Sequence, residues 1–372
     1  MRRRGGSKDW GGSPSDVFAV VDRNSDGRPE YVHKLVVDGI NTPNGIALRG
    51  DSLFVAAYED AGIEKGLIWR LDDVHQHALQ RKAYKRGDAD LTVVTDALPG
   101  DRWHGWRYIK FDGDGKLLVT IGAPCNVCDL DDPALGTGGT GKLPYGSIVR
   151  LDVDAPGSAV QSVARGVRNS VGLEHHPDTQ ELYFTDNGRD ELGENLPDCE
   201  LNRVTNDGQD FGFPYCANAG TGGAWRRSPG PGRIINDRAL NRGGTVKNCT
   251  REVLQGRVKQ PIQAMGPHVA PLGLRFYKWS KDLTAGFPQS WDRTLFVVQR
   301  GSWNRKQPIG QRVMSCVAYL PFVTGWLKRN ATDNSESWGR PADIEQLPDG
   351  SLVISDDSSS TIFRVTWEGT RV

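Results

Sequence analysis

A hairpin-like unit returns along the whole chain: a short strand, a polar turn rich in Asp and Gly, a hydrophobic strand, and a further strand often ending in Arg. The clearest first halves occupy 45–58, 108–122, 171–188 and 342–357, with a looser copy over 272–301. Matching later strands begin near Asp16, Gly66, Ser147, Leu201, Val313 and Thr361. Six later strands stand against five first halves, and Met1 lies where the sixth should be. Repetition of a small antiparallel sheet closes a β-propeller around its core. The pattern therefore predicts an all-β, six-bladed β-propeller whose first blade is incomplete at the N-terminus. Chemistry on such a fold is expected on the loops around its channel.

The 45 glycines and 21 prolines suit many tight turns, and helical periodicity is scarce. The best helix candidate, 72–85, lacks a clean apolar stripe and reads as an insertion. No linker of different composition divides the 372 residues, so one domain is expected over 16–372 after a basic, disordered tail over 1–15. Residues 214–265, rich in Gly and Arg, read as an inserted rim loop. Forty-six basic and 46 acidic side chains cancel, which gives no electrostatic case for nucleic acid or an anionic membrane surface. No apolar run approaches the roughly 18 residues of a membrane span.

Six cysteines are compatible with three disulfides of unassigned connectivity. Cys125 and Cys128 form a C-x-x-C in a loop with neither a following helix nor a second ligand pair, which favours a local disulfide over redox or zinc chemistry. Asn248-Cys-Thr and Asn330-Ala-Thr are glycosylation sequons, meaningful only in a secreted chain. Together these lean toward an extracellular or periplasmic setting, with the signal and the start of the natural protein absent from this chain. Three motifs mislead. The glycine-rich run 136–142 lacks the Ser or Thr and the helix of a phosphate-binding loop. Asp22-Arg-Asn24-Ser-Asp26-Gly27 opens like a calcium loop, but His33 stands where the bidentate Glu belongs, so a polar turn is expected. His75 and His77 lie in a polar insertion and read as solvated.

Four segments are over-equipped for turns: Trp103-His104-Gly-Trp-Arg107, Gly166-Val-Arg168-Asn169-Ser-Val-Gly172 with Thr185-Asp-Asn-Gly188-Arg189, Gln299-Arg300-Gly301, and Gly339-Arg340-Pro341. Equivalent turns of a propeller converge on one face, which would gather His104 with Arg168, Arg300 and Arg340. Three convergent guanidiniums imply a strongly anionic ligand. Their charge would keep His104 neutral and suited to act as a general base.

These residues resemble the glucose/sorbosone dehydrogenase family of six-bladed quinoproteins. The resemblance covers nearly everything from Asp16 to Trp367 and is most specific at Gly166–Gly172, Phe184-Thr-Asp-Asn-Gly-Arg-Asp190, Gly208-Gln-Asp-Phe-Gly-Phe-Pro-Tyr215 and Gly339-Arg-Pro-Ala-Asp343. His104-Gly-Trp-Arg107 and Ile121-Gly-Ala-Pro-Cys-Asn-Val-Cys128 are most similar to its sorbosone dehydrogenase-like and pyranose dehydrogenase branch. The resemblance implies pyrroloquinoline quinone, a tricarboxylate, bound with Ca2+. It implies His104 as the base at the sugar's anomeric hydroxyl, Arg168 polarising the quinone carbonyl, and Asn169, Arg300 and Arg340 contacting the cofactor. It also implies the backbone carbonyls of Gly188 and Arg189 as calcium ligands. Arg300 stands where the glucose enzyme has Lys, and Ala342 replaces a second Arg. The expected function is oxidation of an aldose, pyranose or sorbosone-type sugar, with electrons passed to an acceptor such as a cytochrome, quinone or dye. The alternatives are a non-catalytic extracellular binding module of the same fold, and a calcium-dependent lactonase. The lactonase would want Asp, Asn and Glu where this chain offers Arg and His.

Overall fold

The computed structural model describes residues 16–59, 65–101, 103–132, 143–220, 230–316 and 318–369. The run 136–142 and the expected tail lie outside them. The chain divides into two compact units. One takes the residues up to 124 with 132–145 and 149–161; the other takes 125–131, 146–148 and everything from 162 onward.

In the first unit, β1 (Phe18–Val21) and β2 (Tyr31–Lys34) form an antiparallel ribbon. β3 (Gly45–Arg49), β4 (Ser52–Glu59), β5 (Lys65–Leu71) and β6 (Leu91–Leu98) form an antiparallel sheet, with α1 (Val74–Gln80) between the last two. β7 (Ile109–Phe111) pairs with β8 (Leu117–Ile121). The chain then passes between the units along β9 (Ser147–Leu151) and β10 (Gln161–Arg165).

In the second unit, β11 (Leu173–His175), β12 (Leu182–Asp186) and β13 (Asp198–Val204) run antiparallel, and β14 (Gln209–Asp210) lies parallel to β10. An excursion holds the ribbon β15 (Cys216–Ala219) and β16 (Arg233–Asn236) and the helix α2 (Cys249–Leu254), before β17 (Gln263–Pro267) pairs with β13. β18 (Pro271–Phe276), β19 (Leu295–Gln299), β20 (Arg312–Ser315) and β21 (Leu320–Val323) make the next sheet. β22 (Pro341–Gln346), β23 (Leu352–Asp356) and β24 (Thr361–Val365) make the last.

The strands fall where the repeat predicts them, for a physical reason. A blade's middle strand is covered on both faces, so it reads as an unbroken apolar run. All five residues of β8 (LLVTI) and all five of β19 (LFVVQ) are buried. Glycines open several inner strands because the neighbouring strand passes too close for a side chain. A Cβ on Gly45 would strike the Arg107 carbonyl, one on Gly172 the Leu272 carbonyl, and one on Gly273 the Asp343 side chain. The blade count needs correction. The class is all-β and propeller-like, but the described residues form five sheets of three to five strands, not six. Among the described residues, the strand expected at Asp16 pairs only with β2. With no apolar middle strand to cover, this ribbon leaves Phe18, Val20 and Val32 about half exposed or more.

Local expectations divide similarly. The 22–27 segment is a polar hairpin turn, with the Asp22 carboxylate accepting from Gly27 N and Asn24 Oδ1 from Asp26 N. His75 is exposed beside Asp51, but His77 is not solvated. It is buried, stacked on Tyr84 with ring centroids 3.9 Å apart, and its Nε2 lies 2.8 Å from Asp90. The segment after α1 folds back to cover it, a contact with no trace in local composition. Cys125–Cys128 is a disulfide, as expected, and Cys216–Cys249 closes the excursion. Cys199 and Cys316 stay thiols inside one apolar cluster of the second unit, where burial pushes them up to about 11 and about 12. Among the described residues, no helix is long and apolar enough to cross a membrane.

Candidate active site

His104 belongs to the first unit and sits in a turn with φ +48°, a conformation L-residues adopt at a cost. Two contacts hold it there. Its Nδ1 lies 2.7 Å from the Ala123 carbonyl, an acceptor, which places a proton on Nδ1, so that in the neutral imidazole the lone pair is on Nε2. Its own carbonyl accepts from Arg107 Nη1 at 2.7 Å. Arg107 is buried, also donates to the Pro99 carbonyl, and is pulled down to about 10 by its burial. Trp103 meets the imidazole edge-on, and both Trp103 and Trp106 are more than half exposed.

The remaining candidates all lie in the second unit, where they form two groups. Asp186, at the end of β12, anchors the first. Its carboxylate accepts from Arg168 N at 3.0 Å and Asn169 N at 2.7 Å, drawing the 166–172 turn onto the 185–190 turn. Burial raises Asp186 to about 6, against the pull of those two amides. Asn187 closes the junction through its backbone and side-chain N–H groups, both donating to Asn169 O. Among the described residues, the Asn169 side-chain amide has no hydrogen-bond partner.

Arg168 is buried, and every guanidinium N–H is engaged. Nε donates to Asn126 O at 2.8 Å. Nη1 donates to Asn187 O at 3.2 Å and Gly188 O at 3.1 Å, and Nη2 to Asn126 Oδ1 at 2.9 Å and Asp190 Oδ2 at 3.3 Å. Arg189 is also buried, with Nη1 on both oxygens of Asp237 at 3.2 and 2.9 Å. This group borders a small recess that Asp198, Glu200 and Asn218 also line.

The second group carries surplus charge. Arg300 Nε donates to Asp357 at 2.6 Å, and its other four N–H groups have no partner among the described residues. Arg340 donates through Nη1 and Nη2 to the Ser302 carbonyl at 3.2 Å. Its pKa is lowered, first by burial and then by the like charge of Arg300. Arg300 thus pairs with a carboxylate, whereas Arg340 rests on backbone carbonyls. Asp190 links the groups, accepting from Arg168 through one oxygen and from Asn304 Nδ2 at 3.1 Å through the other. Of the arginines expected to converge, Arg300 and Arg340 lie close enough for their like charges to act on each other, and Arg168 reaches Asn304 through Asp190. The arrangement fits an anionic ligand at the Arg300–Arg340 pair. The Gly188 carbonyl already accepts from Arg168 Nη1, and its second lone pair is what it would offer a calcium ion. Among the described residues, no three His, Cys, Asp or Glu side chains are grouped to hold a metal, so backbone oxygens would have to serve.

Sequence reading missed Asn126, Asp190, Asp186 and Asp237, the acceptors that decide what each Arg can do. Asn126 had a signal, since it lies inside the C-x-x-C.

Fold and residues together define a propeller-type all-β protein with arginine-bearing turns. The TrAA12-like family model matches residues 158–368, more than half of the sequence. The chain belongs to the TrAA12-like family, in agreement with the resemblance read from its motifs. Among solved structures, it is similar to the calcium structure of the Trichoderma reesei family AA12 carbohydrate-active enzyme, with TM-score 0.62 and 17% identity over 91% of this chain and 83% of that one. It is also similar to the holo form of the pyranose dehydrogenase PQQ domain from Coprinopsis cinerea, with TM-score 0.62 and 18% identity over 93% and 86% of the two chains. An uncharacterized protein of Borreliella burgdorferi is 32% identical over 278 residues, 71% of this chain. The match spans 61% of that relative's length.

Proposed function

We propose that this protein is a sugar dehydrogenase that uses pyrroloquinoline quinone and calcium to oxidise an aldose, pyranose or sorbosone-type sugar. The observation that carries the reading is the Arg300–Arg340 pair, two guanidiniums that feel each other's like charge, of which Arg300 spends one N–H on Asp357 and keeps four for a ligand. Such planar donors suit carboxylates. Family membership and the similarity to a PQQ domain support it further.

When bound, the quinone would supply the hydride-accepting centre that no protein side chain offers. His104, with its lone pair on Nε2, takes the proton of the sugar's anomeric hydroxyl. Arg300 and Arg340 hold the cofactor's carboxylates, and the Asn169 amide adds a hydrogen bond. The Gly188 and Arg189 carbonyls would hold the calcium, and Arg168 would offer its Nη1 donors to the quinone, where they suit negative charge. Exposed indoles lie within three residues of His104, Arg300 and Arg340, at Trp103, Trp106, Trp303 and Trp338. Large exposed apolar faces mark contact surfaces, and indoles offer one to a sugar ring. The two disulfides fit an oxidising compartment.

Reconstitution with pyrroloquinoline quinone and calcium, followed by dye reduction over a panel of aldoses and sorbosone, tests the reading. His104→Ala should retain quinone binding and lose about 10²–10⁴-fold in turnover. Quinone bound without sugar-dependent dye reduction would favour the binding-module alternative, and undiminished turnover in the variant would remove His104 as the base.

A further inference from the structure

Asn126 lies between Cys125 and Cys128, inside the small ring that their disulfide closes. It makes four hydrogen bonds, divided between two residues. Asn126 O accepts from Arg168 Nε at 2.8 Å, and Oδ1 accepts from Arg168 Nη2 at 2.9 Å. Oδ1 also accepts from Asp190 N at 2.8 Å, while Nδ2 donates to Asp190 O at 3.2 Å. One residue thus satisfies two of the five N–H groups of a buried guanidinium and both backbone groups of Asp190. Truncate its side chain, and Arg168 Nη2 and the Asp190 N–H both lose their Oδ1 acceptor, an arrangement proteins avoid.

We propose that Asn126 is the positioning residue of Arg168 and of the 185–190 turn, and that the Cys125–Cys128 bond holds it in place, making the turn sensitive to dithiol reductants. Asn126 touches no reacting atom in this account. It acts by fixing the guanidinium and, through Arg168 Nη1, the Gly188 carbonyl. The chemical step is thiol–disulfide exchange. A dithiol such as dithiothreitol gives up two electrons and two protons and closes to its own disulfide, while the Cys125–Cys128 bond breaks to two thiols. Access favours this bond over the other. Cys125 and Cys128 are half-buried, whereas Cys216 and Cys249 are buried. A reduced 125–128 loop regains the conformations the ring denied it, and Asn126 loses its fixed aim.

The first arm of the test needs no cofactor: amide hydrogen exchange of the whole protein, read at Asp190, whose N–H is held by Asn126 Oδ1. Dithiothreitol should speed that exchange about ten-fold or more in the native sequence. The double substitution Cys125→Ser, Cys128→Ser should show the fast rate already and ignore the reductant. Asn126→Ala should match it. Asn126→Asp keeps both acceptors facing Arg168 and should restore the guanidinium's hold. The second arm rests on the quinone reading and measures pyrroloquinoline quinone affinity by fluorescence titration. Affinity should fall about ten-fold in Asn126→Ala and recover in Asn126→Asp. Unchanged Asp190 exchange on reduction and in Asn126→Ala would overturn the proposal. Faster exchange with undiminished quinone affinity would overturn the positioning role. If the native protein binds no quinone, the quinone reading fails by itself, and the exchange arm still decides whether Asn126 and the disulfide hold the turn. Should Asn126→Ala fail to fold, the serine pair and Asn126→Asp carry the decision.

Discussion

The two arginine-bearing regions of the second unit use the same side chain in opposite states. Around the 185–190 turn, Arg168 spends five donors on protein oxygens and Arg189 grips Asp237. At 300–302 and 340, Arg300 spends one donor, and Arg340 leans on a carbonyl that carries no formal charge. The first region is a buried, neutralised joint, and the second keeps guanidinium donors without an acceptor among the described residues. An arginine's availability follows from its acceptors, not from its place in a repeat.

The largest effect should come from breaking the joint. Arg168→Met removes a buried cation from beside Asp190 and Asp186 and strands several oxygens, so a loss of about 3–5 kcal/mol is expected by denaturant titration. Equal stability would mean the joint is not what holds the two turns together. Arg300→Ala should do the reverse. Its exposed pair with Asp357 contributes about 1 kcal/mol or less to folding. Quinone affinity, however, should drop about 10–100-fold, with calorimetric titration as the check. A protein that unfolds on Arg300→Ala yet binds quinone normally would invert the comparison.

The smallest effect is in pH dependence. Glu200, lining the same recess as Arg168, is raised to about 8 by burial first and then by Asp186 and Asp198. Its folded-state value exceeds the ordinary 4.5, so the native protein holds a proton that the unfolded chain releases. The associated stability is complete below about pH 4.5 and is lost as pH rises toward about 8. Glu200→Gln should flatten the decline in melting temperature between those limits. An unchanged slope would show that this carboxyl is not the proton's seat.

Much of the fold was legible because doubly covered middle strands demand continuous apolar runs between Asp/Gly turns, as at 117–121 and 295–299. The sixth blade misled because strand pattern alone cannot tell whether a strand finds enough partners. His77 misled because the ring that stacks on it and the carboxylate that pairs with it, Tyr84 and Asp90, become neighbours only when the segment folds back. The candidate residues were legible as types in turns: His104 in the first unit, and Arg168, Arg300 and Arg340 in the second. Their states were not legible.

By itself, the sequence determined the strand order, the propeller class, the family and the local Cys125–Cys128 bond, since each rests on periodicity, a motif or short separation. Only the tertiary structure decided which arginines are neutralised. Arg168 meets Asn126 across 42 residues and Asp190 across 22, while Arg300 meets Asp357 across 57. Hydrogen bonding and charge pairing act through distance in space, and a linear pattern does not record that distance.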